Sequence, residues 1–205
     1  MPERPELLVD FIISLDGYAS AEGWRGWWGL EGPEYLKWLE DAPEKDYTIL
    51  MGANTYRLMS GFAGPPGEPG SIEMNDDEAA SVDGLAGMRK LVFSSTLKPP
   101  YAWPNTEVVS RDAAEEVAER KRNGTSMSTI GSLSLCRSLL EAGLVDRFRV
   151  VLFPVITGKT GSERIYDGYP DVSLELIDSR LFDGRLQMLE YKPTLLTEPL
   201  RRADG

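Results

Sequence analysis

Short apolar runs that end at turn signals recur along the chain, and they predict buried strands. The run at residues 148–156 is almost wholly apolar, as expected of a strand that is covered on both faces. The first run, at residues 7–14, ends at Leu15-Asp16-Gly17, a sequence typical of a turn. The other predicted strands cover residues 47–51, 90–94, 107–110 and 127–130.

Between these runs, apolar residues recur at helical spacing. The clearest helix covers residues 112–122, because Asp112 can cap it and its acidic residues precede its basic ones. Another helix follows Gly131, carries Cys136 on its apolar face and ends at Gly143. Further helices are predicted at residues 33–41 and 54–59, and the acidic segment 73–88 is a candidate for one more.

Strands that alternate with helices favour a mostly parallel sheet with helices on both faces. Near the end of the chain, residues 174–182 and 185–191 flank Asp183-Gly184, a strong signal for a hairpin. The predicted fold is therefore α/β, with a mostly parallel central sheet and an antiparallel hairpin at one edge. We expect one domain over residues 1–196, with loops at residues 20–32 and 61–70 and a polar tail at residues 197–205.

Composition then limits the chemistry. The 205 residues carry a formal net charge of −11 and no basic block, so nucleic acid is not an expected partner. The chain has no His and one Cys, which excludes imidazole catalysis, His-ligated metals and an internal disulfide. The acidic run Asp76-Asp77-Glu78 is more typical of a solvated face than of a metal site. Without a signal peptide or a membrane-length apolar run, we expect a cytoplasmic protein.

Small or polar residues follow several of the predicted strands, namely Asp16, Gly52, Ser94 and Gly131. Parallel strands bring their carboxyl ends to one edge of the sheet, where such folds bind ligands, so these residues should converge. At Gly131-Ser132, small residues stand between a strand and a helix, where backbone N–H groups and the helix dipole can hold a phosphate. The sequence therefore indicates a nucleotide site and leaves the nucleotide open.

A series of short motifs follows in a fixed order over residues 7–193: Ser14-Leu15-Asp16-Gly17-Tyr18, Met51-Gly52-Ala53-Asn54-Thr55-Tyr56, Val92-Phe93-Ser94-Ser95-Thr96-Leu97, Trp103-Pro104-Asn105-Thr106, Ile130-Gly131-Ser132, Leu140-Glu141-Ala142-Gly143-Leu144-Val145-Asp146 and Pro154-Val155-Ile156-Thr157-Gly158. The series resembles the dihydrofolate-reductase-like family, in the branch of the riboflavin-biosynthesis reductase domain and its stand-alone bacterial relatives. The resemblance implies a three-layer sandwich, a homodimer, and hydride transfer from NADPH or NADH to a pteridine-like or pyrimidine-like ring.

The resemblance also implies roles for individual residues. Asp16 would face the substrate or nicotinamide pocket, where a carboxyl can bind a ring N–H or help to deliver a proton; the structural alternative is a turn cap. The turns at Gly52 and Gly131 would contact the cofactor's phosphates, or be plain capped helix starts. The residues implied to line the cofactor are Ala19, Gly52, Ala53, Asn54, Thr55, Ser94, Ser95, Thr96, Arg111, Ile130, Gly131, Ser132, Leu133 and Leu135.

Two of these positions depart from the family pattern. Ala53 and Ser95 stand where the family commonly has arginines that hold the adenosine phosphate of NADPH. Losing two charge-assisted contacts lowers NADPH affinity by about 100-fold or more. Arg111 follows the fourth strand and either compensates or is a solvated surface charge. Three outcomes remain open: a preference for NADH, weak use of NADPH, or a site that has drifted to another ligand.

The loop after the first strand contains Trp24, Trp27 and Trp28. In the family the corresponding loop closes over the substrate and the nicotinamide, where aromatic rings can stack on a planar ligand and exclude water. The alternative is an aromatic cluster packed on the surface or at a dimer contact. Cys136 is expected to be a small core residue.

Two other functions remain open at this level. One is a non-catalytic nucleotide-binding or regulatory protein on the same fold, which the missing arginines favour and Asp16 opposes. The other is a tailoring reductase for a secondary metabolite, with a pocket shaped by the tryptophan loop. Fold alone does not decide among these.

Overall fold

The chain folds around one eight-stranded sheet and a separate two-stranded ribbon. The structure is a computed structural model, and it describes residues 4–24, 28–62 and 84–200. The strands are β1 (Leu7–Ser14), β2 (Tyr18–Ala21), β3 (Thr48–Gly52), β4 (Lys90–Phe93), β5 (Thr106–Val109), β6 (Met127–Thr129), β7 (Arg147–Phe153), β8 (Gly161–Arg164), β9 (Val172–Phe182) and β10 (Leu186–Leu195).

The helices alternate with these strands as the apolar spacing predicts. Asp112 caps its helix, since its carboxylate accepts from the amide of Glu115 at 3.0 Å. Gly143, with φ of +64°, ends the helix that precedes β7. The helices are α1 (Pro33–Glu40), α2 (Ala53–Phe62), α3 (Ala113–Arg122) and α4 (Leu133–Glu141), with a 3₁₀ turn at Pro43–Asp46 and a helical turn at residues 84–87.

The large sheet has the order β5-β4-β3-β6-β1-β7-β10-β9. Neighbouring strands from β5 through β7 are parallel, and β10 and β9 are antiparallel. Asp183 and Gly184 both have positive φ in the turn between β9 and β10, as a tight hairpin requires. The predicted mostly parallel sheet with an antiparallel hairpin at its edge is therefore confirmed.

Helices cover both faces of the sheet, as alternation in the strands dictates. Val9 and Phe11 of β1 pack with α3 and α4 on one face, whereas Ile12 packs with α1 on the other. Ile49 and Met51 of β3 pack with α2 on that second face. β1 and β3 thus place apolar residues on both faces of the sheet, which forms a buried layer between two layers of helices.

A buried ionic network lies at the amino-terminal ends of β1 and β7. Arg149, with 5% of its surface exposed, bonds Asp10 at 2.6 Å and Glu44 at 3.1 Å. Arg147 bonds Glu44 and also Glu190, each within 2.8 Å. The network anchors the 3₁₀ turn to the sheet, at the opposite end of the strands from the residues expected to form the site.

The sequence pattern did not predict the ribbon of β2 and β8. Part of the segment expected to be a loop, residues 20–32, belongs to β2, which pairs with β8 through Tyr18 and Arg164. Both strands are four residues long, and β2 is mostly half-buried whereas β8 is mostly exposed, so neither produces an apolar run. Their pairing depends on the turn that follows β7, which local sequence does not encode.

Several expectations lie outside the described residues. They are Trp27, the Gly/Pro-rich loop from residue 63 onward, the acidic run Asp76-Asp77-Glu78, most of the candidate helix at 73–88, and the last part of the tail, residues 201–205. Of the acidic segment, only the helical turn at 84–87 and the residues after it are described.

Candidate active site

Four neighbouring parallel strands end at the same edge of the sheet. Ser94 follows β4, Gly52 ends β3, Gly131 comes two residues after β6, and Asp16 comes two residues after β1. The order β4-β3-β6-β1 makes these ends direct neighbours. Adjacent strands lie about 4.8 Å apart, so the predicted convergence is confirmed by the topology.

The turn at Gly131 and Ser132 has an uncommon backbone. Both residues have positive φ, +55° and +63°, and α4 begins immediately after them. Ser132 does not cap α4, contrary to the structural alternative considered from sequence, because its side chain points away from the helix start. The first amides of α4 are therefore not capped by the Ser132 side chain, and α4 begins at this edge of the sheet.

Ser132 instead joins two turns. Its Oγ accepts from the amide of Gly52 at 2.6 Å and donates to Oγ1 of Thr55 at 2.8 Å. A Cβ at Gly131 would lie 3.2 Å from Cγ2 of Thr55, so the Thr55 side chain approaches the Gly131 backbone closely enough to favour Gly there. The structure thus brings Gly52, Thr55, Gly131 and Ser132 into one cluster, as expected of a phosphate-binding wall.

Asp16 is held by two flanking segments. Its carboxylate accepts from the Ser14 hydroxyl at 2.7 Å and from the backbone amide of Thr157 at 3.1 and 3.2 Å. The Ser14 hydrogen bond lowers the pKa of Asp16, with the Thr157 amide and the positive charge of Arg164 acting in the same direction against partial burial. Asp16 is therefore an anion at neutral pH, a hydrogen-bond acceptor rather than a proton donor.

The structure adds residues to which sequence reasoning gave no role. Ser14 is fully buried, and its Oγ also accepts from the amide of Tyr18 at 3.0 Å. Arg164 is exposed, makes no side-chain ion pair within the described residues, and has its Nε 3.9 Å from where a Cβ of Gly17 would be. A Cβ at Gly17 would lie 3.1 Å from the ring of Tyr166. The pairing of β2 with β8 brings Arg164 beside Asp16, which no local motif signals.

Comparison with known proteins agrees with this arrangement. The RibD C-terminal domain family matches residues 5–188, most of the chain. The chain belongs to this family. Among curated proteins, YyaP of Bacillus subtilis is 25% identical over 198 residues, which is 92% of this chain and 95% of that protein.

Solved structures share the fold of this RibD C-terminal domain at low identity. A putative riboflavin biosynthesis protein from a Shewanella species matches with a TM-score of 0.65 and 17% identity, covering 92% of this chain and 99% of the other. For a pyrimidine reductase-like protein from Corynebacterium diphtheriae the TM-score is 0.63 and the identity 17%, over 93% and 92% of the two chains. A third match is a diaminohydroxyphosphoribosylaminopyrimidine deaminase/5-amino-6-(5-phosphoribosylamino)uracil reductase from Thermotoga maritima. Its TM-score is 0.60 and its identity 18%, and the match covers 93% of this chain and 57% of that one. The expected dihydrofolate-reductase-like fold is thereby confirmed.

In this RibD C-terminal domain, the arginine considered from sequence as a compensation for Ala53 and Ser95 has acidic partners of its own. Arg111 bonds Glu116 and Glu119, both at 3.0 Å, and the Glu119 carboxylate raises the pKa of Arg111. Asn54 accepts from Arg57 at 3.1 Å. Arg111 is thus neither a free cation nor a simple solvated charge, since two carboxylates on α3 neutralise it.

The turn after β4 is organised by its own first residue. Ser94 Oγ accepts from the amides of Thr96 and Leu97 at 3.1 and 2.9 Å. The side chains of Ser95 and Thr96 are exposed, and Ser95 makes no hydrogen bond within the described chain. Two hydrogen bonds to Ser94 thus hold the turn, and its surface at Ser95 and Thr96 is open to solvent.

The tryptophans of the first loop separate into two environments. Trp28 is 2% exposed and packs with Tyr35 and Phe153, so in this structure its ring belongs to the core and not to a surface that faces a ligand. Trp24 is 41% exposed, with its ring centroid 5.3 Å from that of Trp28. Within the described part of the loop, Trp24 is therefore the tryptophan that can meet a ligand.

The side chains of several other residues predicted to line the cofactor lie in or against the core. Leu135 is 7% exposed in the main core, and Leu133, Ala19 and Ile130 pack against buried clusters. Cys136 is also in the core, as expected, and burial raises the pKa of its thiol to about 12.

No helix in residues 4–24, 28–62 or 84–200 is long and apolar enough to span a bilayer. Within those same ranges, no acidic or thiol side chains cluster as metal ligands do.

Proposed function

We propose that this protein is an oxidoreductase that transfers a hydride from a nicotinamide dinucleotide to a pyrimidine-like or pteridine-like ring. The observation that carries the proposal is the uncapped start of α4, one strand away from the anionic Asp16 at the same edge of the sheet. A helix N-terminus binds a diphosphate, and a fixed carboxylate binds a ring N–H. Together they define the two ends of a hydride-transfer site.

The residues present fit the diphosphate but not an additional adenosine phosphate. Positive φ at Gly131 and Ser132 exposes the first amides of α4, and no side chain caps them. On the adenosine side, Ala53 and Ser95 supply no charge, and Arg111 is already paired with two glutamates. We therefore propose that NADH is bound in preference to NADPH.

Within this proposal the bound dinucleotide supplies the hydride, and the protein supplies orientation and charge. The lowered pKa of Asp16 excludes it as the proton donor at neutral pH and suits it to accept a substrate N–H. Ser14 and Thr157 fix the direction of its carboxylate. Arg164, which makes no ion pair within the described residues and lies beside Asp16, is positioned to meet an anionic group on the substrate.

The names of relatives support the substrate class. The Corynebacterium protein is described as pyrimidine reductase-like, and the Thermotoga protein as a 5-amino-6-(5-phosphoribosylamino)uracil reductase. We propose a ring of this kind for the present protein. A reductase that draws on the cellular pool of nicotinamide dinucleotide works in the cytoplasm, which is the location that we propose.

A fluorescence titration tests the proposal. The chain has five tryptophans, and Trp24 is partly exposed in the loop next to β2, so binding near this edge should quench emission. NADH is expected to bind with a Kd below about 1 mM, and NADPH more weakly. If neither dinucleotide binds in that range, the oxidoreductase proposal fails. Tight NADPH binding would contradict only the preference for NADH.

We also propose a homodimer formed through the face of β9 and β10 on the α4 side. Leu174, Leu176, Ile177 and Leu181 are 42–64% exposed on β9, and Leu195 of β10 extends the same apolar surface. The charged residues on this stretch of β9, Glu175, Asp178 and Arg180, point to the opposite face. Two chains of net charge −11 can therefore meet here without opposing like charges, and a two-fold axis would pair each apolar face with itself.

Sedimentation equilibrium tests this surface. Leu176→Glu should convert a wild-type dimer into a monomer, because it places a carboxylate in the proposed contact. Leu58→Glu, at an equally exposed leucine on α2, should remain dimeric. A monomeric wild-type protein, or a Leu176→Glu variant that stays dimeric, would refute the proposed surface.

A further inference from the structure

The Ser132 hydroxyl occupies the gap between the two turns proposed to hold the diphosphate. It accepts a hydrogen bond from the Gly52 amide at 2.6 Å and donates one to Oγ1 of Thr55 at 2.8 Å. The site therefore offers fewer free donors than its sequence implies. The Gly52 N–H and the Ser132 O–H are bonded to protein oxygens, whereas the first amides of α4 remain uncapped.

The geometry explains why Ser132 can do this. β6 ends at Thr129, and the chain then turns through Gly131, so no backbone carbonyl of β6 lies opposite the Gly52 amide. Ile130 still donates to the Leu50 carbonyl at 3.1 Å, and the Ser132 hydroxyl takes the next position in the ladder. A glycine at position 132 would leave the Gly52 amide without this acceptor.

We propose that the Ser132 side chain is a gate on the diphosphate site, closed in this structure and opened when a phosphate oxygen displaces its hydroxyl from Gly52. The inference rests on the proposed dinucleotide site and concerns its regulation. The open state exchanges one hydrogen bond for another, so the gate lowers affinity without blocking the site. In this account Ser132 is a side chain that the ligand must displace, and the phosphate is held by backbone amides.

The direction in which one substitution changes binding affinity shows whether Ser132 is a gate or binds the phosphate directly. Ser132→Ala removes the competing hydroxyl and frees the Gly52 amide, so inorganic pyrophosphate and NADH should each bind about fivefold more tightly, the equivalent of one neutral hydrogen bond. Ser138→Ala is the matched control, since it makes the same change in α4 one turn beyond the site. Its affinity for either probe should equal that of wild type.

Two measurements test the gate: calorimetric titration of wild type, Ser132→Ala and Ser138→Ala with pyrophosphate and NADH, and the NMR chemical shift of the Gly52 amide. Pyrophosphate should shift that resonance in wild type, because the acceptor changes from a hydroxyl to a phosphate oxygen. Unchanged or weaker binding by Ser132→Ala, with NADH bound by wild type, overturns the gate and leaves the dinucleotide proposal standing. Tighter pyrophosphate binding without any NADH binding supports the gate and refutes the dinucleotide. If neither probe binds to any of the proteins, both proposals fail.

Discussion

The backbone amide of Thr157 donates to both carboxylate oxygens of Asp16, at 3.1 and 3.2 Å. The contact joins the turn after β1 to the turn after β7, two strands that are parallel neighbours. It also brings Gly158 within reach, since a Cβ there would lie 3.5 Å from Oδ2 of Asp16. Asp16 is therefore both a structural clamp and the negative charge of the candidate site, so the two interpretations of its motif are compatible.

Asp16→Asn should separate the effect of the negative charge of Asp16 from the effect of its side-chain shape. The amide side chain keeps an oxygen for the Thr157 amide but removes the negative charge that would bind a substrate N–H. We expect kcat/KM to fall by about 10- to 100-fold, as for loss of a charged hydrogen bond, while the Kd for NADH stays unchanged. Steady-state kinetics and NADH titration measure the two effects. Full turnover by this variant would remove Asp16 from the mechanism.

The same residue predicts a dependence of stability on pH. The pKa of Asp16 is lower in the folded protein than the unfolded value of about 3.9, so its contribution is present above that pH and is lost as the pH falls through the folded value. The difference in urea midpoint between wild type and Asp16→Asn should shrink from about pH 6 to about pH 3. A constant difference across that range would contradict the predicted pKa direction.

Cofactor preference should respond to one added charge. Ser95 is exposed on the turn after β4, at a position where the resemblance seen in the sequence implies an arginine. Ser95→Arg should tighten NADPH binding by about tenfold or more and leave NADH unchanged, because a charge-assisted contact forms only with the additional phosphate. Ser95→Gln, similar in length but uncharged, is the control. An equal gain for both dinucleotides would place the adenosine elsewhere.

The two described tryptophans of the first loop should differ in their effect on stability. Trp28 is 2% exposed within a cluster that includes Phe153 and Phe182, so Trp28→Ala should cost about 3–5 kcal/mol in the free energy of unfolding. Trp24→Ala, at a 41% exposed position, should cost well under half of that. Urea denaturation of both variants measures the difference. Equal losses would show that the loop packs as one unit.

The sequence predicts which residues meet at this edge of the sheet, but it does not predict the contacts that they make there. Alternation of strands and helices predicts parallel neighbours, and parallel neighbours place Asp16, Gly52, Ser94 and Gly131 together. Capping of α4 by Ser132 was one of two interpretations of its motif, but in the structure, where Ser132 has a φ of +63°, its hydroxyl bonds the amide of Gly52 instead. Backbone angles of this kind arise from the close approach of two turns that are far apart in sequence.

A single sequence also does not predict which tryptophan is buried or which charged side chains pair. Trp24 and Trp28 look alike in the loop, and only the packing of α1 and β7 makes one of them a core residue. Arg111 lies five and eight residues before its partners Glu116 and Glu119, and the turn into α3 brings the three together. The position of Arg164 beside Asp16 depends on a ribbon that has no apolar signature.

The central claim is that a dinucleotide binds at the start of α4, and Gly131→Ala tests it most directly. A Cβ there would lie 3.2 Å from Thr55 and force the two turns apart, whereas at Gly124, which also has positive φ, it would meet nothing within 4 Å. Gly124→Ala therefore reproduces the backbone strain without touching the site. In calorimetric titration with NADH, we predict that Gly131→Ala binds about tenfold or more weakly than Gly124→Ala, which should match wild type. Equal NADH affinity in both variants would contradict a dinucleotide site at this turn.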